Sequence, residues 1–170
     1  GLEKVREHFP DVLFHTYSSE EPCFTAALPA ILISFGVKYA SSKNPNTCWG
    51  GYTTAFGNQN FIVWKAADGS EVLCVPRYES EKLEKKSTWQ TNAWRHSKEY
   101  VRDAFKSGVK YPIGMCLQDA GWRGGPWLKM SGHYMPVEFT LWSDYFKKYE
   151  PTTQLQEWRM SQEDIRVSLV

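Results

Sequence analysis

The 170-residue chain has no CxxC pair, no HxH, HExxH or HxD pair, no internal repeat and no low-complexity tract. Without paired cysteines or histidines at finger spacing, a zinc ribbon or finger is excluded. The four cysteines, Cys23, Cys48, Cys74 and Cys116, are far apart in sequence. They read as buried free thiols or as two disulfides, and the compartment stays open. A charge excess is also missing, with 20 Lys+Arg against 19 Asp+Glu. Neither nucleic acid nor a membrane is therefore expected as a partner. No apolar run approaches the roughly 20 residues of a membrane-crossing helix. What is present is a 42% hydrophobic fraction, enough for a core and against wholesale disorder. Eight Trp accompany nine Tyr and nine Phe, which points to a use for flat aromatic surface.

The length predicts one domain. Leu2, Val5 and Phe9 fall at helical spacing, and Val12-Leu13-Phe14 predicts a buried parallel strand within residues 11–16. Phe24, Leu28, Ile31, Leu32 and Phe35 predict an amphipathic helix that Gly36 ends, with Pro29 acceptable only in its first turn. Residues 37–40 supply the next strand, so this stretch reads as a parallel crossover. After a turn-rich loop over residues 44–51, two apolar runs flank Asp68-Gly69, a strong hairpin signal. A capping box at residues 87–90 predicts a helix through Trp94, Val101, Ala104 and Phe105 that stops at Gly108. Residues 113–117 read as a strand delivering Gln118-Asp119 to a Gly/Trp loop, and residues 137–140 with a helix around Tyr145-Phe146 form a last unit. The fold class is α/β with a parallel sheet and an inserted hairpin, either an open sheet or a segment of a closed barrel. A second capping box, Ser161-Gln162-Glu163-Asp164, starts a helix that runs to the end of the chain. The expectation is a single α/β domain over residues 1–170, a fragment of a larger polypeptide. Apolar surface around Ile165 and Leu169 would then favour self-association.

Ligands of parallel α/β folds meet the carboxyl ends of the strands. Just past those ends stand Glu20 and Glu21, then Asn44 and Asn46, then Gln118 and Asp119. Carboxylates among Trp-rich loops suit a sugar site, because glycoside chemistry uses two carboxyl groups and aromatic faces stack on pyranose rings. Either glutamate equally suits the start of the following helix, whereas Asp119 between a strand and a Gly/Trp loop favours function. Trp49, Trp122 and Trp127 in glycine-rich loops are candidate stacking residues, while Trp64, Trp94 and Trp142 read as core. Arg123 would hold a hydroxyl or carboxylate, or brace its loop. His8 and His96 read as surface residues, His15 as a satisfied core residue, and His133 as a loop residue.

Three blocks resemble glycoside hydrolase family 38, the retaining, metal-dependent α-mannosidases. They are residues 61–73 with Trp64 and Asp68-Gly69-Ser70-x-Val72-Leu73, residues 111–119 ending in Asp119, and residues 139–146 with Phe139-Thr140-Leu141-Trp142-Ser143-Asp144-Tyr145-Phe146. Their order and spacing fit over most of residues 10–150. The resemblance implies a segment of a (β/α) barrel of the seven- or eight-fold type, carrying an inserted β-hairpin. It implies Glu21, or Glu20 if the register slips by one, as nucleophile and possible metal ligand, and Asp119 as general acid/base. The implied partner is a mannose-containing glycan and the implied cofactor zinc or another divalent ion, with the remaining ligands outside the segment. The chain alone would then bind no metal and be inactive. Two positions depart from the family pattern: Glu21 stands for an Asp, and Thr25 for a His. The alternatives are a carbohydrate-binding relative that has lost catalysis and a purely structural α/β fragment.

Overall fold

The computed structural model describes residues 1–18, 25–42, 58–79, 98–114, 138 and 140–161. The first helix, α1 (Leu2–His8), forms as the apolar spacing predicts, but none of its residues is buried. The run Val12-Leu13-Phe14 is not the buried strand expected from it: Leu13 is 75% exposed and the first strand, β1, is Thr16–Tyr17. The register explains the shift. Thr16 pairs with Tyr39 in parallel, so Leu13 would fall opposite Gly36. The Gly36 and Val37 amides already bond back into the preceding helix, which leaves residues 12–14 no ladder to join.

That helix, α2 (Leu28–Ser34), starts late enough to put Pro29 in its first turn, where the missing amide costs nothing. It ends in a two-bond wrap: Gly36 N–H donates to the Ile33 carbonyl and Val37 N–H to the Leu32 carbonyl, both at 2.9 Å. Gly36 has φ of +78° and Leu32 and Val37 share one core cluster. Strand β2 (Tyr39–Ser41) follows, parallel to β1, so the crossover forms as expected.

Strands β3 (Ile62–Lys65) and β4 (Glu71–Val75) make the expected hairpin. Its turn closes by Gly69 N–H to the Ala66 carbonyl and Ala66 N–H to the Ser70 carbonyl, with Gly69 at φ +89°. The Asp68 carboxylate accepts from both the amide and the hydroxyl of Ser70. The hairpin is not an insertion, however. β4 pairs in parallel with β2 and lies at the centre of a five-stranded sheet ordered β1-β2-β4-β3-β5, where β5 is Glu157–Trp158. β1, β2 and β4 run one way and β3 and β5 the other. The architecture is α/β with a mixed, mostly parallel sheet that is open rather than closed into a barrel among the described residues.

Helix α3 (Lys98–Lys106) ends at Gly108 in the same wrap as α2, with Gly108 N–H to Phe105 and Val109 N–H to Ala104. Here too the two flanking apolar residues, Ala104 and Val109, are buried together, with Tyr78. Helix α4 (Trp142–Tyr149) forms around Tyr145 and Phe146 as predicted. The alternation of strand side chains then assigns the core. Ala40, Ile62, Trp64, Val72, Cys74 and Trp158 pack on one face with Leu32 of α2 and with Met160. Phe61, Val75, Tyr39 and Leu73 pack on the other with Tyr145, Phe146 and Trp142 of α4. Trp64 is core, as expected, its ring 5.1 Å from that of Trp158.

Some sequence expectations are corrected or fall elsewhere. Ile113 and Gly114 carry no strand, and residues 115–117 lie outside the described set. Glu138 and Thr140 carry none either. The capping box at residues 87–90, Trp94, His96, His133, residues 162–170, and Cys23, Cys48 and Cys116 also lie outside it. Cys74 is a buried free thiol. His8 is exposed, as expected. His15 is half-buried but not satisfied: its Nδ1 is buried without a hydrogen-bond partner among the described residues. Strand β5 was not foreseen, although Glu157-Trp158-Arg159-Met160 alternates polar and apolar residues and buries Trp158 and Met160.

Two predictions follow from these features. Gly36→Ala and Gly108→Ala each force a Cβ into the left-handed region, at roughly 1–2 kcal/mol. A Cβ at Gly36 meets nothing within 4 Å, whereas one at Gly108 comes 3.1 Å from the Asn58 Cβ. Urea unfolding should therefore show Gly108→Ala to be the more damaging of the two.

The second concerns the β5 edge, where Lys65 bridges Glu157 at 3.0 Å and Glu71 at 3.5 Å. The hydrogen bond from Lys65 is the main cause holding the Glu157 carboxyl below its ordinary value of 4.5. A lowered folded-state pKa gives stability that is complete above 4.5 and is lost as pH falls through the folded value. The difference in thermal stability between the native protein and Glu157→Gln should thus be constant near neutrality and shrink as pH drops below 4.5. A difference independent of pH would remove the ion pair from any role at this edge.

Candidate functional site at the carboxyl ends of the parallel strands

β1, β2 and β4 are parallel, so their carboxyl ends lie together at one rim of the sheet. Among the described residues the buried polar or charged side chains are Ser41, Ser42 and Arg77, and all three sit at that rim. Ser41 ends β2, and Ser42 follows it. The Ser42 amide and hydroxyl both donate to the Val75 carbonyl, at 3.1 and 3.2 Å, which ties the end of β2 to the end of β4. Pro76 turns the chain out of β4, and Arg77 follows at 1% exposure. A guanidinium taken out of water requires polar compensation, and Arg77 is engaged rather than isolated. The rim thus combines a buried cation just after β4 with the Ser42 hydroxyl that ties the end of β2 to the end of β4.

The start of β3 reaches the same end because β3 is antiparallel to β4, Ile62 lying opposite Cys74. Asn60, two residues earlier, uses its side-chain amide as a substitute strand. Its Oδ1 accepts from the Lys110 and Tyr111 amides at 2.9 and 3.3 Å, and its Nδ2 donates to the Tyr111 carbonyl at 2.8 Å. The Tyr145 hydroxyl donates to the same carbonyl at 2.6 Å. The Ile113 amide donates to the Tyr78 hydroxyl at 3.3 Å. Residues 110–113 are therefore fixed to the rim by Asn60, Tyr145 and Tyr78. Burial is the main cause that pushes the Tyr145 phenol up to about 12, against the lowering effect of hydrogen bonds from Asn60 and Tyr78. It stays a neutral donor across the physiological range.

Glu20, Glu21, Asn46, Trp49, Gln118, Asp119, Trp122, Arg123 and Trp127 all lie outside the described residues, as does Asn44. The structure places the segments from which they continue: Ser18 after β1, Ser42 after β2, and Ile113-Gly114 beside Tyr78. Thr25, standing where the resembled family has a His, is described. Its hydroxyl accepts from the Ala27 amide at 3.4 Å and its carbonyl from the Leu28 amide at 2.9 Å, so it shapes the turn into α2. Among the described residues no group of three or more His, Cys, Asp or Glu is placed to hold a metal ion.

Sequence reading missed Arg77, Tyr78, Asn60 and Tyr145 as members of this rim. The signal was available: the apolar run Val72-Leu73-Cys74-Val75 leads straight into Pro76-Arg77. Read as one arm of an inserted hairpin, β4 does not count among the parallel strands whose carboxyl ends gather a site.

Asn60→Ala removes four hydrogen bonds and leaves the Lys110 and Tyr111 amides short of this partner, which should cost about 1–3 kcal/mol. Hydrogen exchange should accelerate at Lys110 and Tyr111 while Leu73, bonded to Lys38 in the sheet, keeps its protection. Equal loss at all three amides would show that the side chain supports the whole fold and not this segment.

Comparison with protein-family models, curated proteins and solved structures finds no match.

Proposed function

We propose that the protein is part of a retaining, metal-dependent α-mannosidase-like glycoside hydrolase, its open sheet forming one wall of a larger (β/α) barrel. The observation that supports this best is the rim itself. Ser18, after β1, and Ile113-Gly114, held by Tyr78, precede Glu20-Glu21 and Gln118-Asp119 in the chain and lie at the rim where Arg77 follows β4. The Asp68-Gly69-Ser70 turn, the most specific part of the family resemblance, also forms as a hairpin.

In this reading Glu21 attacks the anomeric carbon while Asp119 gives its proton to the departing glycosidic oxygen. A covalent glycosyl-enzyme results, and Asp119, now a base, takes a proton from the water that releases the sugar and restores Glu21. Double displacement keeps the anomeric configuration and requires the two carboxyl groups about 5–5.5 Å apart. Arg77 would favour the ionised form of a carboxylate brought to the rim. Zinc belongs to the proposal only with Glu21 as one ligand. The described residues do not assemble a metal site, and no step here passes through a metal.

A second reading, a sugar-binding relative without turnover, is favoured by Thr25. Its hydrogen bonds serve the start of α2, where the resembled family places a His.

The test is hydrolysis of aryl α-mannosides by the protein at its full natural length, with and without added zinc. Turnover should fall about 100-fold or more in both Glu21→Gln and Asp119→Asn. Mannoside binding without turnover in the folded native protein would select the second reading, and neither binding nor turnover would defeat both.

A further inference from the structure

Tyr111 is exposed and at the same time held in place. It is 47% exposed, yet its backbone is held on both sides: the amide and carbonyl are clamped by Asn60, and the carbonyl also accepts from Tyr145. Its ring stacks on Tyr149, with centroids 4.3 Å apart and planes 20° from parallel. One ring face is occupied in that stack, while about half of the residue stays open to solvent. Tyr149 is itself anchored, packed 5.1 Å from Tyr145 and flanked by the Lys148 ammonium 5.3 Å from its ring. An aromatic plane fixed in this way loses little conformational freedom when a flat, weakly polar ligand lands on it. It also stands on the segment tied to the carboxyl rim through Asn60 and Tyr78.

We propose that Tyr111 is a stacking platform for a pyranose ring, an outer sugar subsite at the carboxyl rim of the sheet; the choice of a sugar as ligand rests on the glycosidase reading above. The axial C–H bonds of a pyranose present an apolar face to the ring, as an aromatic edge does in tilted aromatic pairs. The remaining hydroxyls face water. Because the platform is a ring face and not a hydrogen-bond donor, it discriminates weakly among sugars and holds the leaving-group side of a glycan in place, while the choice of sugar is made at the carboxylates.

The test is titration of the protein with methyl α-mannopyranoside, followed by NMR of ring-labelled tyrosines and by affinity. Tyr111 ring signals should move on titration. Tyr111→Ala should weaken binding about tenfold, as the loss of one aromatic stack implies. Tyr111→Trp, which keeps an aromatic face and controls for folding, should retain affinity. Asn60→Ala should weaken binding with the ring still present, because the plane is no longer held. Ring shifts without any hydrolysis would uphold the platform and count against the enzyme. Hydrolysis with unmoved Tyr111 signals and unchanged affinity in Tyr111→Ala would overturn the platform alone. A response to p-nitrophenol but not to the methyl glycoside would overturn the sugar assignment, and so would no response to either.

Discussion

The double pairing of β4 is the constraint on which the rest of the structure depends. One edge of the strand pairs in parallel with β2 and the other antiparallel with β3. Its residues alternate between the two cores, Val72 and Cys74 joining the cluster under α2, Leu73 and Val75 the cluster under α4. A polar residue at Val72, Cys74 or Val75 would face apolar neighbours with no water to compensate it. The strand therefore reads Val-Leu-Cys-Val without interruption, as a strand buried on both faces must. Shifting its register by one residue would exchange every member of the two cores at once.

The same strand decides where chemistry can sit. Because β4 is parallel to β2, its carboxyl end meets Ser42 through the Val75 carbonyl, and Arg77 emerges at the same rim. Because β3 runs back against it, Asn60 arrives there from the opposite direction and pins residues 110–111. A purely parallel arrangement would have put a helix crossover between these elements. The tight Asp68-Gly69 turn brings them together with five residues between the strands.

Much of this fold was legible because its punctuation is local. Gly36, Gly69 and Gly108 each take a positive φ that other residues resist, and each marks an element boundary that the sequence alone indicates. The burial of Trp64 and the helix around Tyr145 follow from spacing in the same way. What was not legible is what depends on partners far away in sequence. Val12-Leu13-Phe14 has the composition of a buried strand, but its place in the ladder is cancelled by the end of α2 more than 20 residues later. Strand β5 is two residues long and exists because Trp158 finds Trp64, 94 positions away. The rim residues were hidden for a related reason: Arg77 belongs to a site only if β4 is parallel to β2, a fact of topology that no window of sequence contains.

Arg77 also bears on function through its cost. Burying a guanidinium carries a penalty of several kcal/mol that its interactions at best offset, and well-packed apolar residues in such places are often as stable or more so. A cation behind the ends of β2 and β4 is therefore held there by its polar partners and not by any gain from burial itself. A fixed positive charge in a low-dielectric rim acts on a nearby carboxylate more strongly than an exposed lysine would, and favours its ionised form. The neutral Tyr145 hydroxyl and the clamped Asn60 amide then hold the neighbouring backbone still without adding charge. Among the described residues the buried charge of this rim is thereby confined to Arg77, while uncharged side chains fix the backbone of residues 110–113 next to it in the fold.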